Sequence, residues 1–217
     1  MPESPIVIVG RSSSHFTRVA TLFAAELGLP WTLEVVPRLL SHDPADFGGH
    51  PALKLPTLLV DGAPVFGAEN ICRKLTALAG RAGDPTLVLP EHVHDDTPRN
   101  AQELIWVAMS AQVSMLLFKP GEEPPTPYLL KTRAGLQGAL AWLDAQLDDA
   151  LAALPTPRQV SVLEVSLLCL VDHLRFIPTL PLDAYPRLLG FAEAQGRRES
   201  AQRTVFRFDP RPPKDAR

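Results

Sequence analysis

The chain has 217 residues, 46% hydrophobic and 21% charged, with a formal net charge of −3. That is enough chain for one large domain or two small ones with a sizeable core. The charge gives no electrostatic reason to expect nucleic acid or an anionic membrane as partner. Cys72 and Cys169 stand in apolar helical patterns with no CxxC spacing. They read as buried free thiols, not a disulfide framework, which suits a reducing compartment. No apolar run reaches about 18 residues, and the N-terminus lacks the basic-then-apolar layout of a signal peptide. The expectation is a soluble cytoplasmic protein without membrane segments.

In chain order, "PIVIVG" at residues 5–10 predicts a buried strand, a short β-branched run closed by Gly10. "SSHFTRVATLFAAELGLP" predicts a helix. Phe16, Val19, Phe23 and Leu27 recur at helical spacing, and Gly28 with Pro30 supplies the stop. "WTLEVVPR" at 31–38 alternates as a second strand, and "SHDPADFGGHP" is loop with room for one helical turn. "TLLVDGAPVF" is a hairpin turning at Asp61-Gly62, and "ENICRKLTALAG" is a helix closed by Gly80. The order β-α-β, long connection, β-β-α describes a compact α/β domain.

After about residue 90 no further strand is predicted. "LPEHVHDDTPRN" reads as a linker. Thr97-Pro98 reads as an N-cap with proline at the first helical position, opening a helix that runs to about Phe118. "KPGEEPPTP" breaks it, and Thr126-Pro127 opens another with a stripe of Leu129, Leu136, Leu140, Leu143, Leu147 and Leu151. "SVLEVSLLCLVDHLRF" begins with a capping box, Ser161 and Glu164, and is apolar almost all round, so it belongs at the centre of the second half. "AYPRLLGFAEAQGRR" and "ESAQRTVF" complete an all-helical domain. The expected boundaries are 1–80 for the α/β domain, 81–96 for the linker, 97–208 for the helical domain and 209–217 for a frayed tail.

Three local stretches carry chemistry. Proline cannot donate to a sheet ladder, so Pro56 belongs at the first position of its strand. It is either an ordinary trans proline ending a loop, or a cis one that turns the Leu55 N–H and C=O outward. Glu69 and Asn70 enter the first turn of a helix, where free N–H groups and the helix dipole favour an anion. The plainer role is an acid stabilising a helix start. "GRSSSHF" puts Ser12, Ser13 and Ser14 where a helix follows a strand. One of them is expected as the N-cap, and another can face a ligand anion, including a thiolate.

Together these residues resemble the cytosolic glutathione transferase superfamily, in a bacterial form with a serine-type catalytic loop, over about residues 5–207. "SSSHFTRV" is similar to the catalytic loop, with Ser13 five residues before Arg18. "HPALKLPTLLVDG" is similar to the segment with the cis-proline, matching Pro56, and "FGAENI" to the pair that holds the γ-glutamyl end. "VSVLEVSLLCLVDHLRF" resembles the capping-box helix, and "YPRLLGFAEAQGRRESAQRT" the last helices. The resemblance implies a thioredoxin-like N-terminal α/β domain followed by an all-α C-terminal domain, an α+β two-domain protein. It implies glutathione as co-substrate without a metal. Glu69 and Asn70 would take the γ-glutamyl group, the Leu55 backbone beside Pro56 the cysteinyl moiety, and Lys54 or His42 the glycyl carboxylate.

Asn70 departs from the usual Ser or Thr, Glu164 from the usual Asp and His50 from the usual Asn. The serine turn holds no cysteine, which argues against the thiol-transferring and dehalogenating branches. On this reading Ser13, with Ser12 and Ser14 as rivals, donates to the glutathione sulfur. The thiolate then attacks a small hydrophobic electrophile in a pocket of Phe16, Trp106, Met109, Ser110 and Val113. His15 is a possible acid or base, against the plainer role of an exposed helical histidine. The resemblance also implies a homodimer and a detoxification role. The alternatives are a non-catalytic binding or scaffold protein on the same fold, and a glutathione-dependent peroxidase or isomerase.

Overall fold

A computed structural model of the chain describes residues 6–117 and 126–210. The expected strand start at Pro5, the helix end at Phe118, most of the breaking segment and residues 211–217 lie outside the described residues.

The N-terminal half is a four-stranded mixed sheet. β1 (Ile6–Gly10) is followed by α1 (His15–Glu26), β2 (Trp31–Val35), β3 (Thr57–Val60), β4 (Ala63–Phe66) and α2 (Ala68–Leu78). The order is β2-β1-β3-β4, with β1 parallel to β2 and antiparallel to β3, and β3 antiparallel to β4. This is the thioredoxin-like arrangement. Alternation along β1 divides its side chains. Ile6 and Ile8 join the main core with Val19 and Phe23 of α1 and Ile71 and Leu75 of α2, while Val9 packs with Val36 and Phe47 on the opposite face. Phe47 is carried by a 3-10 turn, Pro44–Phe47. At the hairpin, Asp61 (φ 50°) and Gly62 (φ 76°) both take positive φ, as a two-residue I′-type turn requires.

Gly10 sets how closely α1 returns to the sheet. A Cβ there would lie 2.5 Å from the Thr17 hydroxyl oxygen, an impossible approach. The absence of a side chain lets the turn at residues 11–14 close tightly, and that turn carries the three serines.

The rest is helical. α3 (Asp96–Leu117), α4 (Pro127–Ala152), α5 (Val162–Phe176), α6 (Pro186–Gly196) and α7 (Glu199–Arg203) follow one another. α5 is buried along most of its length and packs against α1, which places the helical half directly behind the serine turn. Leu136, Leu140, Leu143 and Leu147 of α4 are buried, while Leu129 and Leu151 at the ends of the stripe are half-buried. No helix among the described residues is long and apolar enough to cross a membrane.

Several expectations are corrected. Strand structure does not stop at residue 90: β5 (Leu87–Val88) pairs in parallel with β6 (Val160–Ser161), tying the connection to the start of α5. Two residues per strand leave no alternation to detect. α3 begins at Asp96, so Pro98 is its third residue and Thr97 is not the cap. The first-turn N–H groups have no intrahelical acceptors, so proline is tolerated throughout that turn. The capping box is half made. The Ser161 hydroxyl accepts from the Glu164 N–H (3.1 Å), but the Glu164 carboxylate takes the Ser161 hydroxyl (2.6 Å) and Arg158 (3.0 Å), not the Ser161 N–H. Asp209, placed by the sequence in a frayed tail, is 8% exposed and hydrogen-bonded.

Candidate functional site

The serine turn divides its work among three residues. Ser14 is the N-cap of α1, its hydroxyl accepting from the Thr17 N–H at 3.3 Å. Ser12 is held by its main chain: its N–H donates to Asp209 Oδ2 (3.0 Å) and its carbonyl accepts from the Arg207 N–H (3.4 Å). The Ser13 carbonyl accepts from His173 Nε2 (2.9 Å), and the Ser13 hydroxyl makes no hydrogen bond among the described residues. Ser14 is thus occupied as the cap, while Ser12 and Ser13 both keep hydroxyls without a hydrogen bond among the described residues on main chains held from behind.

The strap that holds Ser12 is residues 205–209, which run back from α7. Phe206 meets His173 edge-on (5.1 Å), stacks on Phe176 (5.6 Å) and lies 4.6 Å from the Arg18 guanidinium; Phe208 packs on Phe176 at 4.8 Å. Asp209 also faces Arg11 at 3.6 Å. The alternation of "TVFRF" was the available signal. Its partner lies nearly the whole chain away, so no local pattern pointed to it.

Arg18 is a structural residue. Its side chain is 4% exposed, bonds Asp172 Oδ2 at 2.8 Å and reaches the Ala201 carbonyl at 3.3 Å. His15 is neither exposed nor an available acid or base. It is 1% exposed, its Nδ1 accepts from the Phe16 N–H (3.2 Å), and its Nε2 therefore donates to the Met109 carbonyl (3.1 Å). Burial, and secondly the His173 ring beside it, hold its pKa down at about 3 against the Met109 carbonyl. The ring is thus neutral throughout the range where a thiol is used.

The α2 start is open. Its N-cap is Gly67 (φ 83°), which offers no side-chain cap, so the first N–H groups of the helix are left to solvent or a ligand. Glu69 and Asn70 stand there, half-buried and exposed. Asn70 Nδ2 donates to the Phe66 carbonyl (3.2 Å), and its Oδ1 accepts from Arg73 (2.9 Å). Arg73 also makes a two-pronged pair with Glu91, both bonds 2.8 Å, and lies 3.5 Å from Glu69. The hydrogen bonds to Glu91 raise the Arg73 pKa, and the same bonds lower that of Glu91. Sequence reading missed this arginine, although Glu69 and Arg73 at i,i+4 were a visible pair.

Leu55 is half-buried and precedes Pro56 through a cis peptide bond. Its N–H and C=O have no partner among the described residues. Leu53, two residues earlier, holds φ at 55°, a region costly for a leucine. His50 lies on Phe66 at 4.4 Å; burial, then its own backbone and Lys54, set its pKa, with a net lowering. Lys54 and His42 are both exposed.

Trp106 of α3 joins the two halves. It stacks on Phe16, the second residue of α1, at 5.9 Å. It also lines two cavities. One, of about 230 Å3, includes Glu69, Arg99, Gln102 and Glu103. The other, of about 540 Å3 between α3 and α4, includes Glu103, Ser110, Tyr128 and Lys131. Of the residues expected to line an electrophile pocket, Trp106 and Ser110 share the second cavity, and Phe16 lines neither cavity but stacks on Trp106. Met109 is fully buried, so its side chain belongs to the core. Val113 is 39% exposed, further along the same helix and outside both cavities. Cys72 and Cys169 are fully buried; burial pushes the Cys72 thiol up strongly and the Cys169 thiol to about 12, so neither supplies a thiolate. Among the described residues there is no cluster of side chains able to hold a metal ion.

Residues 13–78 match the model of the glutathione S-transferase N-terminal domain. A comparison with curated protein sequences finds no match. Among solved structures, the chain is similar to a glutathione transferase family member from Pseudomonas fluorescens Pf-5 with bound glutathione. The TM-score is 0.76 and the identity 21%, over 93% of this chain and 99% of that one. A glutathione S-transferase from Methylobacillus flagellatus KT with glutathione bound gives 0.75 and 19%, over 93% and 100%. One from Methylobacterium radiotolerans JCM 2831, in complex with glutathione sulfonate, gives 0.75 and 21%, over 97% and 99%. Residues 13–78 thus match a glutathione S-transferase N-terminal domain in sequence, and the whole chain shares the fold of solved glutathione transferases.

Proposed function

We propose that the protein is a glutathione transferase that joins the glutathione sulfur to a small hydrophobic electrophile. Ser13 donates its hydroxyl to the sulfur, and the N-terminus of α1 adds its dipole. Both favour the thiolate over the thiol, whose ordinary pKa is about 8.5. The thiol proton passes to solvent, and the sulfur forms a bond to the electrophilic carbon. The γ-glutamyl carboxylate takes the uncapped N–H groups of α2, Glu69 accepts from the γ-glutamyl ammonium, and the Leu55 main chain pairs with the cysteinyl peptide. Lys54 or His42 meets the glycyl carboxylate. The electrophile lies against Phe16, Trp106 and Ser110. The observation that supports this reading is the serine turn, in which Ser14 is spent as the cap and Ser13 presents a hydroxyl without a hydrogen bond among the described residues, with the equally unbonded Ser12 as its rival. Glutathione bound to the structural neighbours supports it.

The same reading includes a homodimer in the cytoplasm. Val107, Leu117, Tyr128 and Leu130 expose apolar side chains on α3 and α4, a face suited to a second copy.

A second reading, a glutathione-transferase-like protein without catalysis, is favoured by Asn70. Its amide is spent on Phe66 and Arg73, where a free hydroxyl donor would otherwise meet the ligand. Calorimetric titration with glutathione separates the readings at their first step. The wild-type protein gives a saturable isotherm, and Glu69→Ala weakens it by about tenfold or more, the worth of one charge-assisted hydrogen bond. No heat at millimolar glutathione, or equal affinity in the variant, contradicts the proposed site.

A further inference from the structure

The serine turn is held by a residue outside its own half of the molecule. α5 is apolar almost all round, and His173 is a polar interruption in it, 2% exposed. A buried imidazole requires partners. Neutral, the ring carries a single N–H: on Nε2 it donates to the Ser13 carbonyl at 2.9 Å, which leaves the Nδ1 lone pair 2.9 Å from Gln112 Oε1 as a close approach and not a second hydrogen bond. Gln112, fully buried on α3, is oriented by its own Nε2, which donates to the Ile177 carbonyl at 3.2 Å. The ring is packed between His15, with centroids 4.3 Å apart, and the edge-on Phe206. The bond to Ser13 and the packing of His15 and Phe206 hold the imidazole in place.

The group it bonds is not otherwise used. The first carbonyl engaged by the α1 ladder is that of Ser14, which accepts from the Arg18 N–H at 2.9 Å. The Ser13 carbonyl would be unpaired without His173. The peptide plane joining Ser13 to Ser14 is rigid, so fixing its oxygen fixes one backbone dihedral of Ser13 and with it the direction of the Cα–Cβ bond.

We propose that His173 is a positioning residue: by holding the Ser13 carbonyl it aims the Ser13 hydroxyl at the sulfur of bound glutathione, so that the helical half tunes the thiol chemistry of the sheet half. This rests on the reading of Ser13 given above. Burial lowers the His173 pKa, the Ser13 carbonyl opposes this, and Arg18 of α1 adds to the lowering. The other charged groups nearby are Asp172 on its own helix, paired with Arg18, and Arg175, 3.6 Å from Asp172. His15 on the opposite face is neutral.

The test compares the wild type with His173→Phe, which keeps a ring but removes the donor, and His173→Gln, which restores an amide donor. The thiolate absorbance of the glutathione complex is titrated with pH. Binding of S-methylglutathione, which has no ionisable thiol, is measured by calorimetry. The pH midpoint of the His173→Phe complex rises by about one unit, leaving roughly tenfold less thiolate at neutral pH, the effect of one misplaced hydrogen bond. S-methylglutathione binds all three proteins alike, and His173→Gln returns most of the shift. His173→Asn, polar but one bond shorter, replaces the phenylalanine variant if that one does not fold. An unshifted midpoint in a folded variant that still binds S-methylglutathione overturns the positioning role. A wild-type protein that does not bind S-methylglutathione overturns instead the glutathione-site reading beneath it.

Discussion

Ser13→Ala lowers kcat/KM for transfer of glutathione to an activated aryl halide by about a hundredfold at neutral pH, the loss typical of one preorganised donor to a developing or full anion. The sign of its pH dependence follows from the mechanism. In the proposed mechanism the hydroxyl stabilises the charged form of the thiol and so lowers its pKa. Removing it lets that pKa climb back toward about 8.5. The deficit is therefore largest near neutrality and shrinks above pH 8.5 or so, where the thiol ionises unaided. The neighbours serve as comparisons, Ser14 because its hydroxyl caps α1 and Ser12 because it is the rival with an unbonded hydroxyl. Ser14→Ala removes the α1 cap and costs about 1 kcal/mol of stability, with kcat/KM changed only a few-fold. Ser12→Ala leaves the main-chain bonds to Asp209 and Arg207 in place and changes little. The pH profile of kcat/KM for the three variants is the check; a dominant loss in Ser12→Ala or Ser14→Ala would reassign the nucleophile's partner.

The largest effect on stability is expected from Asp172→Ala. Arg18 is 4% exposed, and Asp172 is its only carboxylate partner among the described residues. Its Nε is buried without a partner, so the remaining support is the Ala201 carbonyl and the Phe206 ring. Leaving a buried cation uncompensated costs about 3–5 kcal/mol when both partners are enclosed. Asp172 is 22% exposed and water can partly replace it, so about 2–3 kcal/mol is expected, or a fall in Tm of about 5–10 °C. Arg18→Met combined with Asp172→Leu recovers much of the loss, because it removes the stranded charge instead of exposing it. Denaturant melts of the single and double variants decide the matter. A single variant within about 0.5 kcal/mol of wild type would mean that Arg18 is neutralised elsewhere. The pair also bonds α1 to α5, so its loss loosens the surface on which the serine turn rests.

The parts of this account legible in the sequence share one property: their signal lies within a few residues. "IVIV" closed by a glycine, the Asp61-Gly62 turn and the apolar repeat of α1 identify the sheet and its helices. Pro56, Glu69 and the serine run mark the proposed site by their place at strand and helix ends. What the sequence concealed is held by contacts between distant segments. His173 looks like a core residue of an apolar helix until its ring is found on the Ser13 carbonyl. The strap that carries Asp209 follows the last helix with only the short alternation of "TVFRF", and its meaning depends on a turn near the other end of the chain. Arg73 was visible but mute, since its link to Glu91 crosses the loop after α2. Met109 shows the reverse error. Helical spacing put it on the inward face, but inward proved to mean the core and not the cleft.

The measurement that tests the central claim most directly is a crystal structure of the protein grown with glutathione. The account predicts the sulfur within hydrogen-bond distance of the Ser13 hydroxyl, the γ-glutamyl carboxylate on the first N–H groups of α2, its ammonium on Glu69, and the cysteinyl peptide paired with Leu55. A sulfur placed on Ser12 or Ser14, a ligand bound away from α2, or a cleft that stays empty at saturating glutathione would contradict it.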